Sequence, residues 1–244
     1  MTYSRSPLTE ALVEIRTDGS ENFAFDSLSE FDSILSGDYA KPEIRYTAQG
    51  KFVLKETPTA TIEHRPSSRM YRNGDEKLIF QVMTNGIVLS RLPPYQSWSV
   101  FFPELQRLWA VYKSVVHPKK VVRLAARYIN QIEISASKIE LEEYLNIFPS
   151  VVMGSPERLK EIVNFTMNVH LRQIDIGGIM IVNQGILPSS GPDTISILLD
   201  YDLFIHDLAL ENDDIIWVKL EQIRQRKNEY FEATITDKLR EIIR

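Results

Sequence analysis

The sequence predicts an α+β fold, in which internally duplicated β-α-β(3-4)-α units form one long curved antiparallel sheet with long helices packed on one face. Three observations predict it. Several segments alternate apolar and polar residues with period two, as half-buried strands do. Two long segments repeat apolar residues at three- and four-residue steps, as amphipathic helices do. Both kinds of segment follow the same order in the two halves of the chain.

The first half opens with a strand that is followed by a helix. In residues 11–16, Ala11, Val13 and Ile15 alternate with Glu14 and Arg16, which is typical of a half-buried strand. Apolar residues then recur at helical spacing over 24–35, behind a serine that can cap the helix, Ser20. The sequence therefore predicts a strand and a helix before residue 40.

A period of two returns in the next part of the chain. The predicted strands are 51–55, 61–65, 78–82 and 87–92. The last two flank Asn85-Gly86, and Asn-Gly is a strong hairpin signal because both residues tolerate a positive φ. This part of the chain is therefore predicted to form antiparallel hairpins.

The first long helix is predicted from an aromatic pattern. Aromatic and apolar residues recur at helical spacing over 95–112, so one broad face of the helix should be buried. A proline is tolerated in the first turn of a helix and breaks a hydrogen bond further in. Pro103 therefore favours Ser99 over Ser97 as the residue that caps this helix.

The second half opens with the longest alternation in the chain, over residues 122–134. A capping box, Ser137 to Glu140, predicts a short helix, and a second clean strand follows over 163–172. The remaining predicted elements are a helical turn from Ser155, strands over 179–182 and 194–204, a long helix capped by Asn212, and a short terminal helix.

This order of elements divides the chain into two halves, 1–118 and 119–244, which we expect to pack as one integrated unit. The order resembles that of the TATA-binding-protein-like fold, and the resemblance is one of element order. The alternative is a single helix-grip-like fold, in which the same sheet curls around a helix and forms a cavity.

The composition excludes several classes of protein. The chain has 244 residues and is 43% hydrophobic and 25% charged, which is typical of a folded protein. It has no cysteine, so it can form neither a disulfide nor a thiolate metal site, and we expect a cytoplasmic protein. No apolar run is long enough to predict a membrane-spanning helix. The sequence contains no nucleotide-binding, zinc-binding or serine-nucleophile motif, so it predicts no cofactor.

One window of this acidic chain is basic. The net charge is −5, yet residues 105–132 contain six lysines and arginines and no acidic residue. If the two long strands of the second half pair, their polar sides form one surface. We call its candidate binding residues the basic strip: Arg123, Arg127, Asn168, His170 and Arg172. The alternative is that these side chains only solvate the sheet, with Arg127 in a salt bridge to Glu133 or to a neighbouring strand.

A second cluster is acidic. Asp200 and Asp202 point to the same side of a predicted strand, and His206 follows closely. Paired carboxylates can bind a hard cation or share a proton. One such pair falls short of a coordination shell, so the sequence favours a solvated strand end here.

Three stretches together resemble a sporadically distributed family of uncharacterised, conserved hypothetical bacterial proteins. They are Pro7 to Arg16, Arg127 to Ile132 and Phe231 to Asp237. The resemblance spans nearly the whole chain and implies one integrated unit of bacterial origin. The scattered distribution of the family implies mobile or defence-associated genes, and the family has no established activity.

These observations favour a non-enzymatic binding module, an accessory or immunity-type component of a bacterial defence or toxin–antitoxin system. It would hold a protein partner on the polar face of its sheet, and a homo-oligomer is compatible with the sequence. The first alternative is nucleic-acid binding through the basic strip, although that strip lacks aromatic residues for stacking on bases. The second is a metal-dependent enzyme at Asp200, Asp202 and His206.

Overall fold

The computed structural model describes residues 3–19, 23–53, 59–95, 97–149, 162–188, 191–209 and 213–244, without the side chains of Lys51, Val53 and Ala209. The described strands are β1 (Leu8–Thr17), β2 (Glu43–Val53), β3 (Thr59–Arg72), β4 (Leu78–Met83), β5 (Gly86–Arg91), β6 (Lys120–Ile134), β7 (Thr166–Gln173), β8 (Gly178–Leu187) and β9 (Ile195–Ala209). The described α-helices are α1 (Glu30–Leu35), α2 (Trp98–Val116), α3 (Asp213–Thr234) and α4 (Asp237–Ile243).

The predicted α+β class and the antiparallel sheet are confirmed. The nine described strands form one sheet in the order β2-β3-β4-β5-β1-β6-β9-β8-β7, which is not closed. The chain divides into two compact units, one of Met1–Val13 with Arg123–Arg244 and one of Glu14–Val122. We call them the C-terminal unit and the N-terminal unit. Within the described residues, no helix is both long and apolar enough to cross a membrane.

The core of the N-terminal unit lies under α2. This helix packs against β5 and buries the later part of the aromatic face that its periodicity predicts, including Trp109 and Tyr112, whereas Trp98 and Phe102 are half-buried. The Tyr112 hydroxyl lies 3.0 Å from the Thr17 hydroxyl of β1, so both buried groups have a hydrogen-bond partner. The predicted first helix is a 3-10 turn over Phe25–Ser29 followed by α1, and its predicted cap, Ser20, lies outside the described residues.

The start of α2 differs from the prediction. Ser97 precedes the first helical residue, Trp98, and Pro103 lies inside the helix, so the preference for Ser99 as the cap is wrong. The Trp98 ring stacks on the ring of Phe102 with a centroid separation of 5.2 Å. Phe101, in the same turn, is buried. The stacking of Trp98 and Phe102 and the burial of Phe101 require the first turn to be helical, and they offset the hydrogen bond that proline removes.

The hairpin predicted at Asn85-Gly86 is confirmed. Met83 of β4 pairs with Gly86 of β5, and Thr84 and Asn85 form the turn between them. Of the turn pair Asn85-Gly86, only Gly86 has a positive φ, at 148°. A Cβ atom on Gly86 would overlap the carbonyl oxygen of Ile15 in β1, so this position requires glycine because β1 passes so close.

The core of the C-terminal unit lies between α3 and β9. Three apolar residues of α3 are buried, and they are Ile216, Leu220 and Ile223. On β9 the odd-numbered residues from Ile197 to Ile205 are buried, so the even-numbered residues point to the other face of the sheet. The predicted long helix is therefore confirmed, whereas its predicted cap, Asn212, and the helical turn from Ser155 lie outside the described residues.

The short helix predicted from the capping box is a single 3-10 turn, Leu141–Glu143. The turn starts after Glu140, whose side chain makes no capping hydrogen bond, so the capping-box prediction is wrong. Burial of Leu141 and Leu145 determines this conformation, together with the Thr236 hydroxyl, which donates to the Glu143 carbonyl at 2.6 Å. Tertiary contacts thus decide the structure of a segment too short to form a stable helix alone.

Candidate functional site

The predicted site residues lie on one face of the sheet in the C-terminal unit. The register pairs Asn168 of β7 with Asn183 of β8, and Asn183 with Asp200 of β9. Residues opposite one another in an antiparallel pair point to the same face. This face is the one that points away from α3, and we call it the polar face.

A row of hydrogen bonds crosses four strands on the polar face. Arg127 of β6 donates from Nε and Nη2 to the two carboxylate oxygens of Asp200, at 2.8 and 2.7 Å. Asn183 Nδ2 donates to Asp200 Oδ2 at 2.9 Å, and Asn168 Nδ2 donates to Asn183 Oδ1 at 2.5 Å. We call Arg127, Asp200, Asn183 and Asn168 the polar ladder. Each member orients the next, so the ladder holds the exposed amide of Asn168 in one position.

The ion pair at the β6 end of the ladder is partly buried. The Asp200 side chain is 4% exposed and the Arg127 side chain 40% exposed. The hydrogen bond to Asp200, followed by the negative charges of Asp200, Asp202 and Glu10, raises the pKa of Arg127. A bidentate guanidinium–carboxylate pair has a defined geometry, so Arg127 serves the architecture of this face.

Arg123, the other predicted arginine of β6, is also in an ion pair. Its Nη2 donates to Asp202 Oδ2 at 2.8 Å, and its guanidinium lies 4.5 Å from the centroid of the Phe204 ring. The two β6 arginines of the basic strip are therefore balanced by two carboxylates of β9. For Arg127, the predicted alternative of a salt bridge to a neighbouring strand is therefore confirmed.

The acidic cluster has the predicted orientation but a different environment. Asp200 and Asp202 point to the same face, where they contact Arg127 and Arg123. His206 is exposed, and its ring packs edge-on against Phe204 at a centroid separation of 5.1 Å. In the ranges that the structure describes, no group of three or more His, Cys, Asp or Glu residues could hold a metal ion.

Asn168, His170 and Arg172 lie on β7, at one end of the sheet order. The condition that β7 pairs with β6 is not met, because β9 and β8 lie between them. The register nevertheless keeps these residues on the polar face, since His170 is opposite Ile181 and Ile181 is opposite Asp202. All three β7 side chains are exposed, and no described residue forms a salt bridge with His170 or Arg172.

Apolar side chains lie between the polar ones on this face. Ile179 and Ile181 of β8 and Phe204 of β9 are each partly exposed. A surface that combines hydrogen-bond donors with partly exposed apolar groups is typical of protein–protein interfaces. The polar face therefore has the composition of a recognition surface as well as that of a solvated sheet.

Sequence reasoning missed the residue that connects the ladder, Asn183. The strand predicted over 179–182 ends one residue before it, whereas β8 continues to Leu187. Residues 179–187 show no regular alternation of polar and apolar side chains, so the face of Asn183 could not be read from the sequence. Only the register with Asp200 reveals its role.

A separate polar group lies in the core, on the other side of the sheet. Lys227 of α3 is 2% exposed, and its amino group lies over the ring of Tyr128 of β6. No described residue accepts a hydrogen bond from its Nζ. Burial lowers the pKa of Lys227 well below its ordinary value, and the nearby charge of Arg224 lowers it further.

We expect Lys227→Met to raise the free energy of unfolding at neutral pH by about 1–3 kcal/mol, because it removes a buried polar group that lacks a hydrogen bond. The folded-state pKa lies below that of the unfolded chain, about 10.4, so the unfolded chain binds more protons between the two values. The free energy of unfolding of the wild type should therefore rise with pH until the pH reaches the pKa of the unfolded chain. The rise should be smaller in Lys227→Met.

Urea unfolding at neutral and alkaline pH measures both effects. Lys219→Met, on a partly exposed position of the same helix, is the matched control. A Lys227→Met variant that is less stable than the wild type at neutral pH would contradict this description of the core.

The chain matches no family model and no curated protein. The resemblance of its three stretches to a bacterial family therefore stays a prediction. Function is inferred from the geometry of the side chains.

Proposed function

We propose that the protein is a non-enzymatic binding module that holds a protein partner on the polar face of its C-terminal unit. The observation that carries the proposal is the polar ladder, which starts at a partly buried ion pair and ends in the exposed amide of Asn168. His170 and Arg172 are exposed on the same strand and the same face. An amide held in one position beside an exposed guanidinium and an exposed imidazole is suited to a partner with acceptor groups.

The residues of the basic strip have two different roles in this proposal. Arg123 and Arg127 hold the face in shape through their ion pairs with Asp202 and Asp200. Asn168, His170 and Arg172 contact the partner. The outer edge of β7 has no strand beside it among the described residues, so its backbone groups can also pair with an extended segment of the partner.

A protein suits this face better than a nucleic acid. Nucleic-acid affinity depends on cations that displace counterions from phosphates, and Arg123 and Arg127 are already neutralised by carboxylates. The Phe204 ring on this face lies against the Arg123 guanidinium and is only partly exposed. Partly exposed apolar residues such as Ile181 favour a protein partner as well.

We also propose a cytoplasmic, bacterial setting, in a defence or toxin–antitoxin system. The absence of cysteine from the sequence and the resemblance of three stretches to a bacterial family support it. An accessory or immunity-type component needs a binding surface and no reaction of its own, in agreement with a recognition face built from hydrogen bonds and ion pairs.

We further propose that the halves 1–118 and 119–244 are related by internal duplication, with the TATA-binding-protein-like element order. The strand order supports it: β1 and β6 are neighbours, and moving outward from them the strands are β5, β4 and β3 on one side and β9, β8 and β7 on the other. In each half, therefore, the first strand lies beside the first strand of the other half, and the last strand of the half is its other neighbour. β2 has no counterpart among the described strands.

Charge reversal on β7 tests the proposed function. We expect Arg172→Glu and His170→Glu each to reduce co-purification with a protein encoded beside this gene by at least about tenfold, since each replaces an exposed cationic or neutral group by a carboxylate. Both positions are exposed, so thermal unfolding should stay at the wild-type temperature. Lys41→Glu, a charge reversal in an exposed loop of the N-terminal unit, is the control and should leave co-purification unchanged.

Unchanged co-purification by both β7 variants would contradict the proposal. Salt-sensitive binding of RNA or DNA that Arg172→Glu abolishes would favour the nucleic-acid alternative instead.

A further inference from the structure

β2 and β3 continue beyond the rest of the sheet in the N-terminal unit. β3 pairs with β4 only over Arg69 to Arg72, whereas it pairs with β2 along most of its length. A register shift beside Tyr46 marks the place where the two-stranded part begins. We call residues 46–53 and 59–66 the arm, and every described side chain in it is exposed.

The register sorts the arm into an apolar face and a polar face of its own. Residues directly opposite one another share a face. The pairs on one face are Tyr46 with Pro66, Ala48 with His64, Gly50 with Ile62, and Phe52 with Ala60. We call this the apolar face of the arm. The described side chains on the other face are Thr47, Gln49, Thr59, Thr61, Glu63 and Arg65.

The large side chains of the apolar face are open to solvent. Phe52 is 76% exposed, Ile62 69% and Tyr46 60%. A two-stranded hairpin without a covered apolar side is only marginally stable in water. Contiguous exposed apolar groups of this kind mark interaction surfaces rather than ordinary protein surface.

We propose that the apolar face of the arm is the contact surface of a homodimer, in which the arms of two copies pack face to face about a twofold axis. An isologous contact uses the same patch on both copies, so one apolar face supplies both sides. Two strand pairs that stack in this way bury their facing side chains between layers about 10 Å apart. The polar faces of both arms then remain in solvent.

The area of the apolar face of the arm is suited to contact with the arm of a second copy. Phe52 and Tyr46 each cover about 150–250 Å² when buried, and Ile62 with the smaller residues adds to this. The sum is on the order of 500 Å² per copy, at the lower end of the size range of specific interfaces. The arm of a second copy is thus enough to cover the face.

The distribution of charge also permits the apolar faces of two identical arms to be in contact. Among its described side chains, the apolar face has no carboxylate, lysine or arginine, and its polar side chains are those of His64 and Tyr46. The charged residues of the arm lie on its other face, where Arg65 Nη2 and Glu63 Oε2 form a salt bridge of 3.2 Å. Two copies can therefore meet without repulsion, and this surface is separate from the polar face of the C-terminal unit.

Sedimentation equilibrium tests the proposal, with glutamate placed on either face of the arm. The monomer mass is 28.2 kDa, and we expect the wild type to sediment with twice this mass at about 100 μM. Ile62→Glu should raise the dissociation constant at least about a hundredfold, because it places two carboxylates in an apolar contact. Thr61→Glu lies next to it on the polar face of the arm and should remain dimeric.

Both substituted positions are exposed, so circular dichroism should show a native fold for each variant. A wild type that sediments as a monomer overturns the proposal. An Ile62→Glu variant that stays dimeric, or a Thr61→Glu variant that dissociates equally, also overturns it. Charge reversal at Arg172 should leave the dimer intact, so the outcome is independent of the proposed partner.

Discussion

Arg127→Met is expected to lower the free energy of unfolding by about 2–4 kcal/mol, because it leaves the nearly buried Asp200 carboxylate without its cation. Breaking a fully buried pair costs about 3–5 kcal/mol, and the 40% exposure of Arg127 lets water compensate part of that cost. Urea unfolding at neutral pH measures the change.

The matched change at the other end of the pair should cost less. Asp200→Asn removes the charge but keeps an oxygen that can accept from Asn183 Nδ2, and Arg127 is exposed enough to be hydrated. The double variant Arg127→Met/Asp200→Asn should therefore be more stable than Arg127→Met alone. If Arg127→Met proves as stable as the wild type, the ladder does not hold the polar face in shape.

Gly86→Ala is expected to cost about 2–5 kcal/mol, the sum of a disfavoured positive φ and the displacement of packed backbone. The added Cβ would overlap the Ile15 carbonyl oxygen and lie 2.9 Å from the Cα of Arg16, and neither backbone atom can move without shifting β1. The free energy of unfolding of the variant measures the effect.

Gly37→Ala is the matched control for this substitution. Gly37 lies in a turn after α1, has no positive φ, and a Cβ there would meet no atom within 4 Å. Its replacement should leave stability unchanged or raise it by up to about 1 kcal/mol. Equal stability of Gly86→Ala and the wild type would mean that β5 and β1 are not packed as closely as described.

The elements of the fold were predictable where the local pattern decides them. The alternation of residues 11–16 and 122–134 reports a face that is buried along one strand, and the aromatic spacing of 95–112 reports one helix face. Asn85-Gly86 identifies a hairpin because its constraint is local. The first turn of α2 and the segment after Ser137 were not predictable, since contacts distant in sequence decide them.

Residues of the candidate site were predictable from the sequence, but their pairing was not. Arg127 and Asp200 were both singled out, but they are 73 residues apart and the sequence contains no sign of their pairing. β7, β8 and β9 follow one another through short connections, so consecutive strands pair. Either outer strand of this group could lie beside β6, and in the structure it is β9. In this topology β7 does not lie beside β6, and the two β6 arginines of the predicted basic strip pair with carboxylates of β9.

The apolar face of the arm shows the same limit. Tyr46, Ala48, Gly50 and Phe52 alternate with polar residues as in an ordinary half-buried strand. The alternation indicates that one face is apolar but does not reveal whether the same protein covers it. The exposure of Phe52 and Ile62 shows that the described residues leave it open.

Photocrosslinking from position 170 tests the proposed partner surface most directly. A photoreactive amino acid replaces His170 on the polar face, and in a second variant it replaces Asn228, which is exposed on α3. We expect position 170, but not position 228, to form a covalent adduct with one protein, identified by mass spectrometry, and Arg172→Glu to abolish the adduct. Equal labelling from both positions, or an adduct at position 170 that nuclease digestion removes, would contradict a protein partner on this face.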